Sequence, residues 1–350
     1  MKYKIWLLML NINDKNKLNL LKIYHNETEI YENLETILIE ENIKINSKEI
    51  YDKKIALNKA EEILLYINKE NIGFITINDK EYPEKLKEIE IPPYGLFYKG
   101  DISLLNTRTI AIVGSRLCTN YGIEVTKLLT KELNGYNITI VSGGAKGIDS
   151  VAHSTSVCED GKTIVVLGCG IDVVYPYSNR FLFKDIEKKG LIISEFLPKV
   201  APLKYNFPRR NRIISALSEL VIVVEASEKS GSLITANYAL EQGRNVMAIP
   251  GSIYSKASNG CNKLIRDGAQ VFCSMEDLHT LLGIDCKEKG GIKSPIKQKI
   301  LSIISDEPIH IDDIVDKSFI DREVLFNVLF DMQIRNEIIS LPGNYYTKII

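Results

Sequence analysis

The sequence predicts a doubly wound, mostly parallel α/β sheet, preceded by a small helical domain and followed by a winged helix. Three observations carry this. Between residues 106 and 286, β-branched apolar runs alternate with helical patterns, the spacing of strand–helix units. Those runs are near-continuously apolar, as strands covered on both faces are. The last segment, 295–350, reads as three helices and two short strands around Pro342-Gly343-Asn344, the winged-helix order.

Taken in chain order, residues 1–75 form the expected helical domain. LNLLKIY and YENLETILIEENI have helical periodicity, and NKAEEILLYINKE has it more strongly. GFITI is a short strand. Residues 76–105, around KEYPEKLKEIEIPPYGLFYKGD, read as an extended lead-in broken by Pro83, Pro92 and Pro93. In the 106–286 core the predicted strands are TIAIVGS, NITIVSGG, KTIVVLGCG, LIISEF, ELVIVVEAS, RNVMAIPGS and AQVFCS. IEVTKLLTKELNG, IDSVAHSTSVCED, NRFLFKDIEKKG and MEDLHTLLG are helical. A linker with Gly290 and Gly291 spans 287–294.

Composition narrows the function. No apolar run approaches the ~20 residues of a membrane span. The N-terminal MKYKIWLLMLNIND lacks a small-residue cleavage site. The six cysteines are scattered with no C-x-x-C pair, which reads as reduced cytoplasmic thiols. The four histidines lack ligand spacing, so no metal is expected. The chain has a formal net charge of −1, unevenly spread: −3 over 1–105, +3 over 106–286, +2 over 287–294 and −3 over 295–350. Eight of its ten arginines lie in the 106–286 segment and none precedes Arg108. Arginine's planar fork suits phosphate and base recognition, so the core is where an anionic partner is expected.

Ligands of parallel sheets sit beyond the carboxyl ends of the strands. The loops there are GSRLCTNYG, SGGAKGID, GCGID, EKSGSLITA and PGS. They are rich in Gly and Ser, and two carry a cation, Arg116 and Lys146. Glycine permits close backbone approach to an anion, and a helix N-terminus offers unpaired N–H groups. The bland alternative is that these glycines only allow tight turns. No G-x-G-x-x-G or G-x-x-x-x-G-K-S/T fingerprint occurs, so neither a dinucleotide nor ATP is indicated.

FPRRNRIISAL poses the sharpest question. Pro208 suits a helix start, which puts Arg209, Arg210 and Arg212 at the end where the dipole disfavours cations. Pairing with Glu195, Glu219 or Glu225 accounts for one or two of them; an external polyanion accounts for all three. Tyr121, Tyr175, Tyr177 and Phe207 are placed to stack on bases or simply to pack, with Tyr121 and Phe207 preferred for stacking. His153 reads as a packed or capping residue, Asp149 as an N-cap, and Asp172 and Glu225 as orienting groups.

Seven blocks, IVGSRLCTNYG, VSGGAKGID, VLGCGIDVVYP, FPRRNRIISALS, VVEASEKSGSLITANYALEQGR, AIPGS and GCNKLIRDGA, resemble the DprA/Smf DNA-processing family in order and content. The match runs over about residues 80–283, and the terminal winged helix is similar to that of many members. The resemblance implies a Rossmann-like core that binds single-stranded DNA without cleaving it. It also implies a homodimer that passes the strand to RecA in natural transformation or recombination. By position, phosphate contacts fall to Gly114, Ser115 and Arg116, to Ser142, Gly143, Gly144, Lys146 and Gly147, to Arg210, Asn211 and Arg212 with Arg209 in support, and to Ser230, Gly231 and Ser232. Position 146 is commonly Arg in the family and is Lys here, which keeps the charge and loses the fork. The N-terminal domain matches weakly. The winged helix, with Asp321, Glu323 and Asp331 on its third helix, suits protein contact better than phosphate. No cofactor and no catalytic residue are expected. Arg210→Glu and Arg116→Glu are both expected to abolish binding with the fold intact. The competing expectations are a nucleotide-processing, phosphoribohydrolase-like enzyme or a nucleotide-sensing module on the same core. The first needs a PGGxGTxxE block, for which PGSIYSK is a poor substitute.

Overall fold

In the computed structural model, which describes residues 1–10, 12–24, 26–40, 53–284, 295–305, 307–334 and 337–348, five helices open the chain. They are α1 (Lys2–Met9), α2 (Asp14–Tyr24), α3 (Glu27–Glu32), α4 (Leu34–Glu40) and α5 (Lys53–Lys69). Asn26 starts α3 by accepting the Glu29 N–H at 2.8 Å. Helices this short are marginal alone, and these bury their apolar faces together. Trp6 is fully buried, its ring edge-on to Tyr31 at 5.0 Å.

The next elements are β1 (Gly73–Thr76), α6 (Glu84–Lys87) and β2 (Gly95–Gly100). Here the structure corrects the lead-in. Residues expected to run as a connector supply a strand that pairs antiparallel with a strand of the core, and β1 pairs antiparallel on its outer side. Pro92 and Pro93 stand just before β2, where a missing N–H breaks no ladder.

The core follows as β3 (Thr109–Val113), α7 (Asn120–Gly135), β4 (Thr139–Ser142), α8 (Ile148–Cys158), β5 (Thr163–Leu167), α9 (Arg180–Lys189), β6 (Leu191–Ser194), α10 (Asn206–Leu217), β7 (Leu220–Val223), α11 (Gly231–Glu241), β8 (Asn245–Ala248), α12 (Asn259–Arg266) and β9 (Gln270–Val271). The sheet order is β1-β2-β6-β5-β4-β3-β7-β8-β9. From β6 to β9 every pairing is parallel. All residues of β3 to β7 are buried, and each buried Val, Leu or Ile contributes about 1.5–3 kcal/mol. The chain steps outward from β3 to β6, then returns to the other side of β3 as β7. The carboxyl ends of β3 and β7 therefore flank the reversal of strand order, where such sheets open a crevice.

The expected separation of residues 1–75 from the core does not appear. Ile5, Trp6, Leu20 and Ile30 share one apolar cluster with Phe97, Val165, Leu167 and Phe183, and Met1–Cys273 forms a single unit. The second unit is Ser274–Ile350. It begins with α13 (Met275–Leu282), so the core gives way before the expected boundary at 286. Ser274 and Asp277 cap α13 reciprocally, at 3.3 and 2.8 Å. The linker expected at 287–294 lies outside the described residues, as does Cys286. Then come α14 (Pro295–Ile303), β10 (Ile309–His310), α15 (Ile311–Ser318), α16 (Arg322–Ile334), β11 (Ile338–Leu341) and β12 (Tyr345–Lys348). The strands form an antiparallel sheet of order β10-β12-β11, one short strand more than the sequence suggested. Ile300, Ile311, Leu325, Leu329 and Tyr346 are among its core residues.

Candidate functional site

A cleft of about 310 Å³ opens at the strand-order reversal, lined by Gly114 to Leu117 after β3, by Phe207, Arg210 and Asn211 of α10, and by Ser230 to Ser232 at the start of α11. Local sequence dictates its floor. Gly147 sits at φ +79°, and a Cβ there would lie 2.2 Å from the Ser115 carbonyl oxygen. Only glycine permits that approach, which lets the Ile148 N–H donate to the same oxygen at 3.2 Å. The β4–α8 loop is thereby held against the β3–α7 loop. Lys146, the residue before Gly147, and Arg116 are both exposed. Among the described residues neither is joined to a carboxylate.

Arg210 is different. It is 4% exposed, and its Nη1 donates to the carbonyls of Gly143 (2.6 Å) and Val166, its Nε to Asn211 Oδ1 (3.1 Å). Buried Asp149 accepts the Gly143 and Ala145 N–H groups at 3.2 and 3.3 Å. Burial lowers Arg210 to about 10 while the Asp149 charge works against it, so Arg210 stays protonated at neutral pH. Burial likewise pushes Asp149 up, opposed by Arg210 and by those N–H donors. These bonds correct the expectation for the SGG loop. Its N–H groups at Gly143 and Ala145 hold an internal carboxylate instead of a phosphate. Ser142 is buried with its hydroxyl donating to the Ile112 carbonyl at 2.7 Å, and the Gly144 carbonyl accepts from Asn179 Nδ2 at 3.0 Å. These three residues shape the cleft without lining it.

Phe207 forms one wall. The guanidinium carbons of Arg116 and Arg210 each lie 5.7 Å from its ring centre, within cation–π range, and the Tyr175 ring is 5.6 Å away. Tyr121 is not brought to this cleft; its hydroxyl donates to the Pro250 carbonyl at 3.0 Å. At α11 the Ser230 hydroxyl caps the helix, accepting the Ser232 N–H at 3.4 Å, and Asn211 Nδ2 donates to the Gly231 carbonyl at 3.2 Å.

Arg209 and Arg212 face a second cleft, of about 710 Å³, with Asp14 and Lys17 of α2. Arg209 Nη2 lies 2.8 Å from Asp14 and 3.2 Å from Glu195; Arg212 Nη2 lies 2.5 Å from Glu195 and 3.9 Å from Asp14. Burial pushes the Glu195 carboxyl up, and the two arginines pull it down. Internal carboxylates thus account for two of the three arginines, against the expectation of an external anion for all. Asp14 could not be anticipated as a partner, since it is 195 residues from Arg209 in sequence. Glu219 pairs instead with Arg108 at 2.6 Å, and Glu225 accepts from the Thr119 N–H and hydroxyl at 2.9 and 2.6 Å. Asp172 accepts from the Tyr66 hydroxyl and the Lys199 N–H at 2.8 and 2.7 Å. His153 is fully buried, its Nδ1 2.7 Å from Thr163 Oγ1, and burial, then Arg210, lowers it to about 3.

Fold and site together define a Rossmann-like protein with a cationic, aromatic-walled cleft where its strand order reverses. The chain belongs to the DNA recombination-mediator protein A family, whose model matches residues 73–283. That match starts at β1, so the lead-in is family sequence too. The chain is similar to the DNA processing protein DprA of Bacillus subtilis (strain 168), 47% identical over 221 residues, which are 63% of this chain and 74% of that protein. It is also similar to the protein Smf of Escherichia coli K12, 35% identical over 298 residues, 81% of this chain and 80% of the other. Among solved structures, DprA from Streptococcus pneumoniae superposes with a TM-score of 0.65 at 36% identity, covering 80% of this chain and 97% of that one. DNA processing protein A from Helicobacter pylori, studied for its single-stranded DNA binding mode, gives 0.55 at 33% identity, with 60% and 96% covered.

Proposed function

We propose that the cleft binds single-stranded DNA and that the protein is a recombination mediator of the cytoplasm, acting as a homodimer that protects the strand and helps load RecA without cutting DNA. One observation carries the binding reading: Arg116 and Lys146 are exposed cations without an internal carboxylate among the described residues, on the loops that follow β3 and β4, with Arg116 beside the Phe207 ring. Phosphates would meet Arg116 and Lys146, with Gly114, Ser115, Asn211 and the Ser230–Ser232 turn supplying polar contacts. Arg210 acts as the buried support of that floor. A base would stack on Phe207, a mode that tolerates any sequence. The C-terminal unit, read as a winged helix of net charge −3 over 295–350, suits a protein partner.

Salt-titrated binding of single-stranded against duplex oligonucleotides tests this. Tighter single-strand binding that falls as salt rises is the expected result. Arg116→Glu should weaken it at least tenfold and reduce the salt slope by about 1 with no change in thermal stability. Normal binding by that variant would remove the site assignment. Release of a free base from a nucleoside monophosphate would replace the binding protein with a phosphoribohydrolase-like enzyme.

A further inference from the structure

We propose that the segment Tyr175–Phe181 is a second stacking platform, which takes the bases that follow the one on Phe207. The proposal rests on the cleft being the single-strand site. Tyr175, Tyr177 and Phe181 are 40%, 70% and 61% exposed. Three large rings thus stand partly or mostly in water within seven residues. They are not scattered. Tyr175 touches the wall of the cleft through Phe207. Farther out, the Arg180 guanidinium lies 4.9 Å from the Tyr177 ring centre and 4.2 Å from that of Phe181. Among the described residues Arg180 has no carboxylate partner.

The segment is fixed to the cleft. Asn179, 8% exposed, donates from Nδ2 to the Gly144 carbonyl at 3.0 Å and to Ser150 Oγ at 2.8 Å. Gly144 and Ser150 belong to the loop and helix that flank Lys146. The segment that carries the rings is therefore tied by Asn179 to the loop that carries Lys146. Alternation of rings with a planar cation is the composition of a platform for successive bases, with the cation stacking on rings and drawing phosphate. Continuity with Phe207 and the unpaired charge of Arg180 favour nucleic acid over a second copy of the chain as the occupant.

The test is fluorescence anisotropy with oligothymidylates of about five and about sixteen nucleotides, the range of single-strand footprints. The double variant Tyr177→Ala, Phe181→Ala should bind the long oligonucleotide about tenfold more weakly and the short one unchanged. Tyr177→Phe with Phe181→Tyr should restore long-strand binding, since stacking needs the ring and not its substituent. Wild-type affinity for the long oligonucleotide in the alanine variant would overturn the platform, and so would an equal loss at both lengths. Conversion of a wild-type dimer to a monomer, seen by light scattering, would overturn it as well and make the patch an interface between copies. Failure of the unaltered protein to bind either oligonucleotide would instead remove the reading of the cleft itself.

Discussion

Arg210 and Arg212 lie two residues apart on α10, are both buried, at 4% and 7% exposure, and make different contacts. On one side of the helix, Arg212 and Arg209 meet Glu195 and Asp14 in a closed ionic cluster. On the other, Arg210 spends its fork on two carbonyls and faces the charge of Asp149, while the exposed Arg116 and Lys146 of the β3–α7 and β4–α8 loops are left without carboxylates among the described residues. Cationic count is therefore a poor guide to an anion site. What matters is which cations remain after internal carboxylates have been matched: Arg116 and Lys146 remain on the loops after β3 and β4, while Arg209 and Arg212 of the arginine-rich helix are matched.

Substitutions can break this comparison, and the largest effect is expected at Arg210. Arg210→Ala leaves the buried Gly143 and Val166 carbonyls without their donor and Asp149 without its neighbouring positive charge, so chemical denaturation should show a loss near the upper end of about 3–5 kcal/mol. This replaces the sequence-based expectation that an Arg210 variant keeps its fold; wild-type stability in that variant would show that the guanidinium is not the support. Arg212→Ala should cost somewhat less, about 3 kcal/mol, because Arg209 still reaches Glu195 at 3.2 Å. At protein concentrations where it stays folded, its affinity for single strands should be unchanged. A tenfold loss there would return Arg212 to the binding surface.

The acid limb of stability comes next. His153 is lowered from 6.5 to about 3, so the unfolded chain holds an extra proton between those values. Stability is therefore complete above about pH 6.5 and is lost as pH falls towards 3. The expected contribution is about 2 kcal/mol between pH 6.5 and about pH 5. Glu195 and Asp149, both raised, act in the opposite sense, so the measurement is the difference between wild type and His153→Gln across that window. Parallel urea curves for the two would refute it. The smallest effect is expected for Arg209→Ala. Its side chain is 49% exposed, and solvent screening limits the loss to below about 1 kcal/mol.

Much of the architecture was legible without coordinates. All seven core strands lie in the sheet; β3 to β7 are legible because strands covered on both faces are continuously apolar, while β9 is a short exposed edge strand. In the lead-in, Pro92 and Pro93 hide from a reading of the sequence the strand that starts two residues later, at Gly95. The N-terminal helices were read as a separate domain because periodicity shows that a face is apolar, not what covers it.

Periodicity and motif order along the chain suffice for the parallel α/β core and for the family to which the chain belongs, and they single out the loops after β3, β4 and β7 as the proposed binding edge. These are local properties: periodicity, glycine at turns, and order of motifs along the chain. Only the tertiary structure decided which arginine serves what. Asp14 reaches Arg209 across 195 positions, and Asp149 takes the N–H groups that a phosphate was expected to take. Charge pairing depends on distance and burial in space, and neither is written in the spacing of residues along the chain.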